Sequence, residues 1–173
     1  MTFDADILFW IQDHLRGAIP DKIFSAVTGL GELGILWILC IIAMLCMKKT
    51  RRHGVLMAIA LIAAACIGNL LLKPLIARPR PYTDFPSIAL LIAKEKSPSF
   101  PSGHTITAFA CAAVFWHYDR RWGVGAVIVA TLIGFSRLFL FMHYPTDVLA
   151  GATLGLLIGF LTCMVSVKVS VRR

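Results

Sequence analysis

His143 and Asp147 stand four residues apart, with Pro145 between them and Arg137 six residues before the histidine. They belong to the run Ser136-Arg137-Leu138-Phe139-Leu140-Phe141-Met142-His143-Tyr144-Pro145-Thr146-Asp147, which separates two long apolar stretches. Ionisable groups at membrane depth are costly and are kept mostly for function. Proline favours the first position of a helix, so His143 is expected just before a helix and Asp147 in its first turn. From there a carboxylate can orient an imidazole, fix its tautomer and leave the other nitrogen free to attack. Arg137, at the end of the preceding helix, would hold an anion in front of it. The competing reading is a helix corner with an Arg–Asp pair and a capping histidine, since structural ion pairs imitate sites.

Two more polar islands carry the same kind of chemistry. In Lys73-Pro74-Leu75-Ile76-Ala77-Arg78-Pro79-Arg80-Pro81, three prolines stiffen the chain and hold its cations on a backbone with little freedom. Arginine grips phosphate through two parallel hydrogen bonds, and lysine acts as a point charge. The alternative is a basic edge that meets lipid headgroups. In Phe100-Pro101-Ser102-Gly103-His104, Ser102 is a natural N-cap and Gly103 lets an anion approach the backbone. A helix N-terminus offers free N–H groups and the positive end of a dipole, which suits phosphate. His104 in the first turn would protonate a leaving oxygen. The alternative is a capped helix start with a histidine at the interface.

The elements that must position these islands are membrane helices. The chain has 173 residues and is 58% hydrophobic, too apolar for a soluble domain. The predicted fold is all-α, a polytopic membrane helix bundle of about five to six helices. Residues 1–173 form one domain, with an interfacial amphipathic helix in 1–20 and a transmembrane core in 27–168. Spans are predicted at Val27–Met47, Gly54–Leu72, His104–Tyr118, Trp122–Met142 and Val148–Val167. The third reaches only roughly 22 Å against a hydrocarbon core of ~30 Å, so its start should be recessed. Glu32 is expected at a membrane face or a helix contact, and Asn69 in an interhelical hydrogen bond. Residues 1–10 show no cleavable signal pattern.

The five cysteines lie in apolar runs without C-x-x-C spacing and read as small buried hydrophobes. The net charge of +8 would suggest nucleic acid in a soluble protein. Here the cations cluster between apolar runs, so membrane topology and anion binding explain them and no nucleic-acid partner is expected. His14, His53 and His117 are expected at membrane surfaces. Lys48, Lys49, Arg51, Arg52, Arg120, Arg121, Lys168, Arg172 and Arg173 gather on one side, predicted to be cytoplasmic. Alternation of the spans then brings all three islands to the opposite, outer side.

Lys73-x6-Arg80-Pro81, Pro101-Ser102-Gly103-His104 and Ser136-Arg137-x5-His143-x3-Asp147 together resemble the three-part signature of the type 2 phosphatidic acid phosphatase superfamily. These are integral-membrane lipid phosphate phosphatases, related in active-site pattern to vanadium haloperoxidases. The resemblance implies a phosphohistidine on His143, orientation of His143 by Asp147, and proton transfer by His104. It implies that Lys73, Arg80, Ser102, Gly103 and Arg137 hold the phosphoryl oxygens, with no metal and no cofactor. The partners would be a lipid phosphate and the bilayer, in a bacterial cytoplasmic membrane, with the multi-pass chain opening its site outward. Undecaprenyl diphosphate is the favoured substrate, because Arg78, Lys94 and Lys96 could neutralise a second phosphate. Phosphatidylglycerophosphate and phosphatidic acid are the alternatives. The headgroup would arrive from the membrane plane past Ile88–Ala93 and the N-terminal helix. A lipid phosphotransferase, a headgroup binder or a transporter subunit are the other readings. A binder needs no histidine pair, and a transporter calls for more polar groups deep in the spans.

Overall fold

The structure, a computed structural model, describes residues 3–171. The basic tail residues Arg172 and Arg173 lie outside the described residues. The regular elements among the described residues are all helical, with no strand. In order they are α1 (Phe3–Leu15), α2 (Ala18–Gly31), a 3-10 turn (Glu32–Gly34), α3 (Ile35–Cys46), α4 (Arg51–Ala65), a π-helical stretch (Cys66–Leu72), α5 (Lys73–Ile76), α6 (Pro81–Asp84), α7 (Gly103–Tyr118), α8 (Arg120–Phe139) and α9 (Pro145–Val171).

Among the described residues, three helical segments are long and apolar enough to cross a membrane, or four where the bent pair of α2 and α3 counts as one span. That pair corrects the first predicted span. The helical segment begins at Ala18, and α2 and α3 meet at 48° across the Glu32–Gly34 turn. Gly29, Gly31 and Gly34 weaken the helix here, and Gly34 takes φ +69°, open to glycine at little cost. Glu32 is exposed on this turn.

The short α7 lies at the centre. Its residues Ile106, Ala108, Ala110, Cys111, Ala112 and Val114 are fully buried, enclosed by α4, α8 and α9. Its length of 16 residues gives about 24 Å, which suffices for a helix lined by protein rather than lipid. α9 approaches α7 through a glycine stripe. A Cβ on Gly155 would lie 2.4 Å from the Ile106 carbonyl oxygen, and one on Gly159 would lie 2.4 Å from that of Ala110. Small residues let membrane helices touch backbone to backbone, where dispersion rather than the hydrophobic effect drives association. Leu70, Leu71, Leu75, Leu149 and Phe160 point outward, as an apolar surface facing lipid requires.

Two of the five cysteines depart from the burial expected of them: Cys46 and Cys66 are exposed on that outer surface, while Cys111 and Cys163 are buried. His53 and His117 lie near each other, 6.4 Å between ring centroids, and His14 stacks on Trp10. α1 is more than an interfacial float. Leu8 and Ile11 are buried in a cluster with Phe139, Leu140, Phe141 and Met142, and Gln12 Nε2 donates to the Phe139 carbonyl at 2.9 Å. Phe3 and Trp10 face outward.

Candidate active site

Lys73 is delivered by a distortion that proline imposes. In a regular α-helix the Pro74 ring would clash with the carbonyl four residues back. The chain widens into the π-helical stretch, and the Lys73 N–H reaches back to Gly68 O. Such π turns recur at functional sites. Ala77 then turns left-handed at φ 48°, and extended chain carries Arg80 to the start of α6, where Pro81 occupies the first helical position.

The spacing from Arg137 to His143 is set by the way α8 ends. The N–H groups of Met142 and His143 both donate to the Arg137 carbonyl, at 3.0 and 3.3 Å. Phe141 takes a positive φ of 59° to close this turn. Pro145 then starts α9 and places Asp147 in its first turn. Ser102 precedes α7 in extended conformation but makes no side-chain cap. It accepts instead from Thr105 Oγ1 at 2.9 Å, which leaves its own proton free to donate.

All eight residues singled out in the sequence meet at one end of the bundle. Arg80 lies 3.4 Å from His143 Nε2. Lys73 Nζ donates to Ser97 Oγ at 2.9 Å, which also accepts from Arg80 at 3.1 Å. The Ser102 amide donates to the Asp147 carbonyl at 3.2 Å. A cleft of about 460 Å³ is lined by Lys73, Gly103, His104, Asn69, Leu61 and Ile62 among others. A second of about 220 Å³ is lined by Arg137, His104, Thr28, Glu32 and Ala93. Gly31 makes room for His104: a Cβ there would lie 3.0 Å from the imidazole Cδ2. Lys73, Arg80, Arg137, His143 and Asp147 are all nearly inaccessible, an unusual burial of charge that needs partners.

The histidine and aspartate do not touch directly. His143 Nδ1 is 3.7 Å from Asp147 Oδ2. Ser99 lies between them, its hydroxyl 2.5 Å from Asp147 Oδ2 and 3.3 Å from His143 Nδ1. The hydroxyl donates to the carboxylate, so it accepts from the His143 Nδ1–H. That order of donors makes Nε2 the acceptor, facing Arg80 NH1 at 3.4 Å. Burial, helped by Arg137 and Arg80, outweighs the pull of Asp147 and pushes the His143 pKa down to about 4. The imidazole is therefore neutral at ordinary pH, as a nucleophile must be.

Arg78 does not face the anion cavity. It donates to Asp147 Oδ1 and to Asp4 Oδ2, each at 2.7 Å, and lies 4.1 Å over the Tyr144 ring. Asp4 also accepts from the Thr146 hydroxyl at 2.6 Å and its amide at 3.2 Å, tying α1 to the start of α9. Lys94 lies 5.6 Å over the Tyr82 ring, and Lys96 is exposed. Asn69 stands exposed at the cleft, its amide oxygen against Gly103, rather than bridging two helices.

Sequence reasoning passed over four participants. Ser99, Asp4 and Thr28 carry no local pattern; Thr28 accepts from Arg137 at 2.6 Å across a long sequence separation. Glu95 had a signal, as the lone carboxylate between Asp84 and Asp119. It pairs with both Arg80 and Arg137. Burial would raise its pKa, but the two guanidiniums hold it well below the usual carboxylate range.

The family model described as PAP2 superfamily matches residues 53–170. Undecaprenyl-diphosphatase BcrC of Bacillus subtilis is 32% identical over 146 residues, 84% of this chain and 75% of that protein. Undecaprenyl-diphosphatase of Sulfolobus acidocaldarius is 31% identical over 130 residues, 75% of this chain and 63% of its own length. The crystal structure of the transmembrane PAP2-type phosphatidylglycerolphosphate phosphatase from Bacillus subtilis superposes with a TM-score of 0.79 at 29% identity, covering 95% of this chain and 85% of that one. The chain belongs to the PAP2 superfamily and is a membrane-embedded phosphatase of that family.

Proposed function

We propose that this protein hydrolyses the terminal phosphate of a lipid phosphate or diphosphate through a phosphohistidine on His143. The reading rests chiefly on one observation: a buried, neutral imidazole whose unprotonated Nε2 faces Arg80 NH1 at 3.4 Å, where a bound phosphoryl group would also meet that guanidinium. His143 Nε2 attacks phosphorus, and the bond to the leaving oxygen breaks as His104 donates it a proton. Water then attacks the phosphohistidine and gives its proton back to His104, the P–N bond breaks, and inorganic phosphate leaves. Charge on the equatorial oxygens would be met by Lys73, Arg80 and Arg137, with the Ser102 hydroxyl and the Gly103 amide. Fixed donors of this kind can do what Mg²⁺ does elsewhere, so metal-independent turnover is part of the proposal.

Undecaprenyl diphosphate is the substrate we favour, supported by the names of the two relatives. Arg78 no longer supports this choice, because Asp4 and Asp147 hold it. Lys94 and Lys96 remain as candidate contacts to a second phosphate. Phosphatidylglycerophosphate is the second reading, favoured by the likeness to a phosphatase of that lipid. Access through the larger cleft suits either lipid: its Leu61, Ile62 and Ala65 wall can take a tail while the headgroup meets His104. Ile88 and Ile92 pack against the cluster that includes Leu8 and Ile11 of α1, while Ile92 and Ala93 also border the smaller cleft with His104 and Arg137. The basic turns 48–53 and 119–121, which the positive-inside rule assigns to the cytoplasm, support a site open to the outside.

The test is phosphate release by the purified chain from undecaprenyl diphosphate, phosphatidylglycerophosphate and phosphatidic acid, in wild type and in Lys94→Ala/Lys96→Ala. The diphosphate should give the highest kcat/KM, and the double variant should lose that preference. A monophosphate preferred by the wild type and unchanged in the variant would refute the diphosphate assignment. No release from any of the three would refute the function.

A further inference from the structure

The two arginines assigned to the phosphoryl group are already joined by an anion of the chain itself. Glu95 Oε2 lies 2.6 Å from Arg80 NH2, and its other oxygen pairs with Arg137 NH2. Arg80 and Arg137 are 3% and 1% exposed, so this carboxylate is the main answer to two buried charges. The segment is held there at several points. Tyr82 donates to the Glu95 carbonyl at 2.6 Å, and Ser97 accepts from Lys73 and from Arg80 Nε on its hydroxyl and carbonyl. Yet the fit to a carboxylate is incomplete. Arg137 Nε is buried without a partner, and Glu95 borders both clefts, into which its side chain can swing.

We infer that Glu95 is an internal competitor: an anion of the chain itself that must be displaced before any phosphate can occupy Arg80 and Arg137. The inference rests on the reading that these arginines bind the phosphoryl oxygens. A tethered competitor acts at high effective concentration. It weakens every external anion by the same factor, the fraction of time the site stands open. The consequence differs between ligands. Bilayer headgroups are mostly phosphodiesters with a single charge and no terminal phosphoryl group. They exchange one monoanion for another and gain little. A terminal phosphate brings up to two charges and three free oxygens. It can satisfy the arginine pair, the unpartnered Arg137 Nε and Lys73 together. In a membrane where diesters vastly outnumber substrate, the common penalty leaves the ratio of affinities unchanged and lifts the weak diester's dissociation constant out of reach of its membrane concentration.

The experiment uses the purified full chain in mixed micelles, with phosphatidic acid as substrate. Two probes compete: inorganic phosphate, and phosphatidylglycerol at rising mole fraction. In Glu95→Gln both inhibition constants should fall together, on the order of tenfold, the equivalent of one charge-assisted hydrogen bond. Phosphatidylglycerol, nearly inert toward wild type, should become a competitive inhibitor. Glu95→Asp, one methylene shorter, cannot span both guanidiniums and should fall between. A readout free of turnover accompanies these: inorganic phosphate should raise the melting temperature of Glu95→Gln more than that of wild type. Inhibition constants and melting shifts equal to wild type in both variants would overturn the inference and leave the phosphatase standing. Constants that rise would also overturn it, making Glu95 a support for the arginines. A wild type that releases no phosphate would overturn the function and this inference with it.

Discussion

Removing the Ser99 hydroxyl separates positioning from binding at this site. Ser99→Ala deletes the group that lies 2.5 Å from Asp147 Oδ2 and 3.3 Å from His143 Nδ1. The remaining distance of 3.7 Å between histidine and aspartate is too long for a hydrogen bond. Asp147 keeps its bonds from Arg78 and the Tyr144 amide, so the fold should survive. His143 loses the acceptor that fixes its tautomer. A hydrogen bond to a charged network is worth about 1.5–3 kcal/mol. Expressed in the transition state, that is roughly 10- to 150-fold in kcat. Ser99 touches neither Arg137 nor the clefts, so KM should change less than about twofold. Ser99→Thr retains the hydroxyl and should recover most of the loss. Steady-state kinetics on phosphatidic acid, with rapid-quench measurement of acid-labile phosphoenzyme, are the assays. An unchanged kcat in Ser99→Ala, or a loss wholly in KM, would refute the bridging role.

His143→Ala should abolish turnover and acid-labile phosphoenzyme, and wild-type activity should persist in EDTA; chelator-sensitive activity restored by Mg²⁺ would refute the metal-independent part. Turnover should survive as pH falls through the ordinary histidine value of ~6.5 and fail only toward the His143 value of about 4, because the neutral imidazole attacks. In denaturant titrations, the His143 contribution to stability should decline over the same window, since the unfolded chain takes up that proton first. Gly155→Ala should destabilise by about 1–3 kcal/mol, by overpacking, since its Cβ would lie 2.4 Å from the Ile106 carbonyl oxygen; thermal melts in detergent measure it. In a cysteine-free background, a cysteine at the exposed Ser87 should react with an impermeant thiol reagent in intact cells and one at the exposed Lys49 should not, the reverse pattern inverting the topology.

The parts of this molecule legible in the sequence are those whose physics is local. Proline after Lys73 and before Thr146, a serine and glycine before His104, and the apolar runs each constrain their own neighbourhood. Their convergence followed from counting spans. What escaped were contacts between distant segments. Asp4 is tied to Thr146 and Arg78, and nothing within several residues of Asp4 hints at it. Arg78 looked like a substrate ligand because arginine beside proline has the same local appearance whatever it faces. The break at Glu32–Gly34 was written in three glycines, yet the apolar run across it read as one straight span. Asn69 was read by its type alone, whereas its place beside Gly103 depends on the π turn.

Charge explains why the missed residues belong to the site. Arg78 is answered by two carboxylates, Asp4 and Asp147, so that corner is already saturated and can serve only to hold Asp147 still. Lys73, Arg80 and Arg137 are nearly inaccessible as well, yet among the described residues the one carboxylate paired with the two arginines is Glu95, and Lys73 donates to the Ser97 hydroxyl. A cluster of three cations facing a single anion is undercompensated in a low-dielectric setting. On the proposed function, a dianionic phosphoryl group that takes the place of the carboxylate adds one negative charge and halves the deficit. A chain that balanced all three cations with its own acids would be more comfortable unoccupied and would bind phosphate poorly. Leaving the balance short favours an anion richer in charge than Glu95 over the carboxylate it would displace.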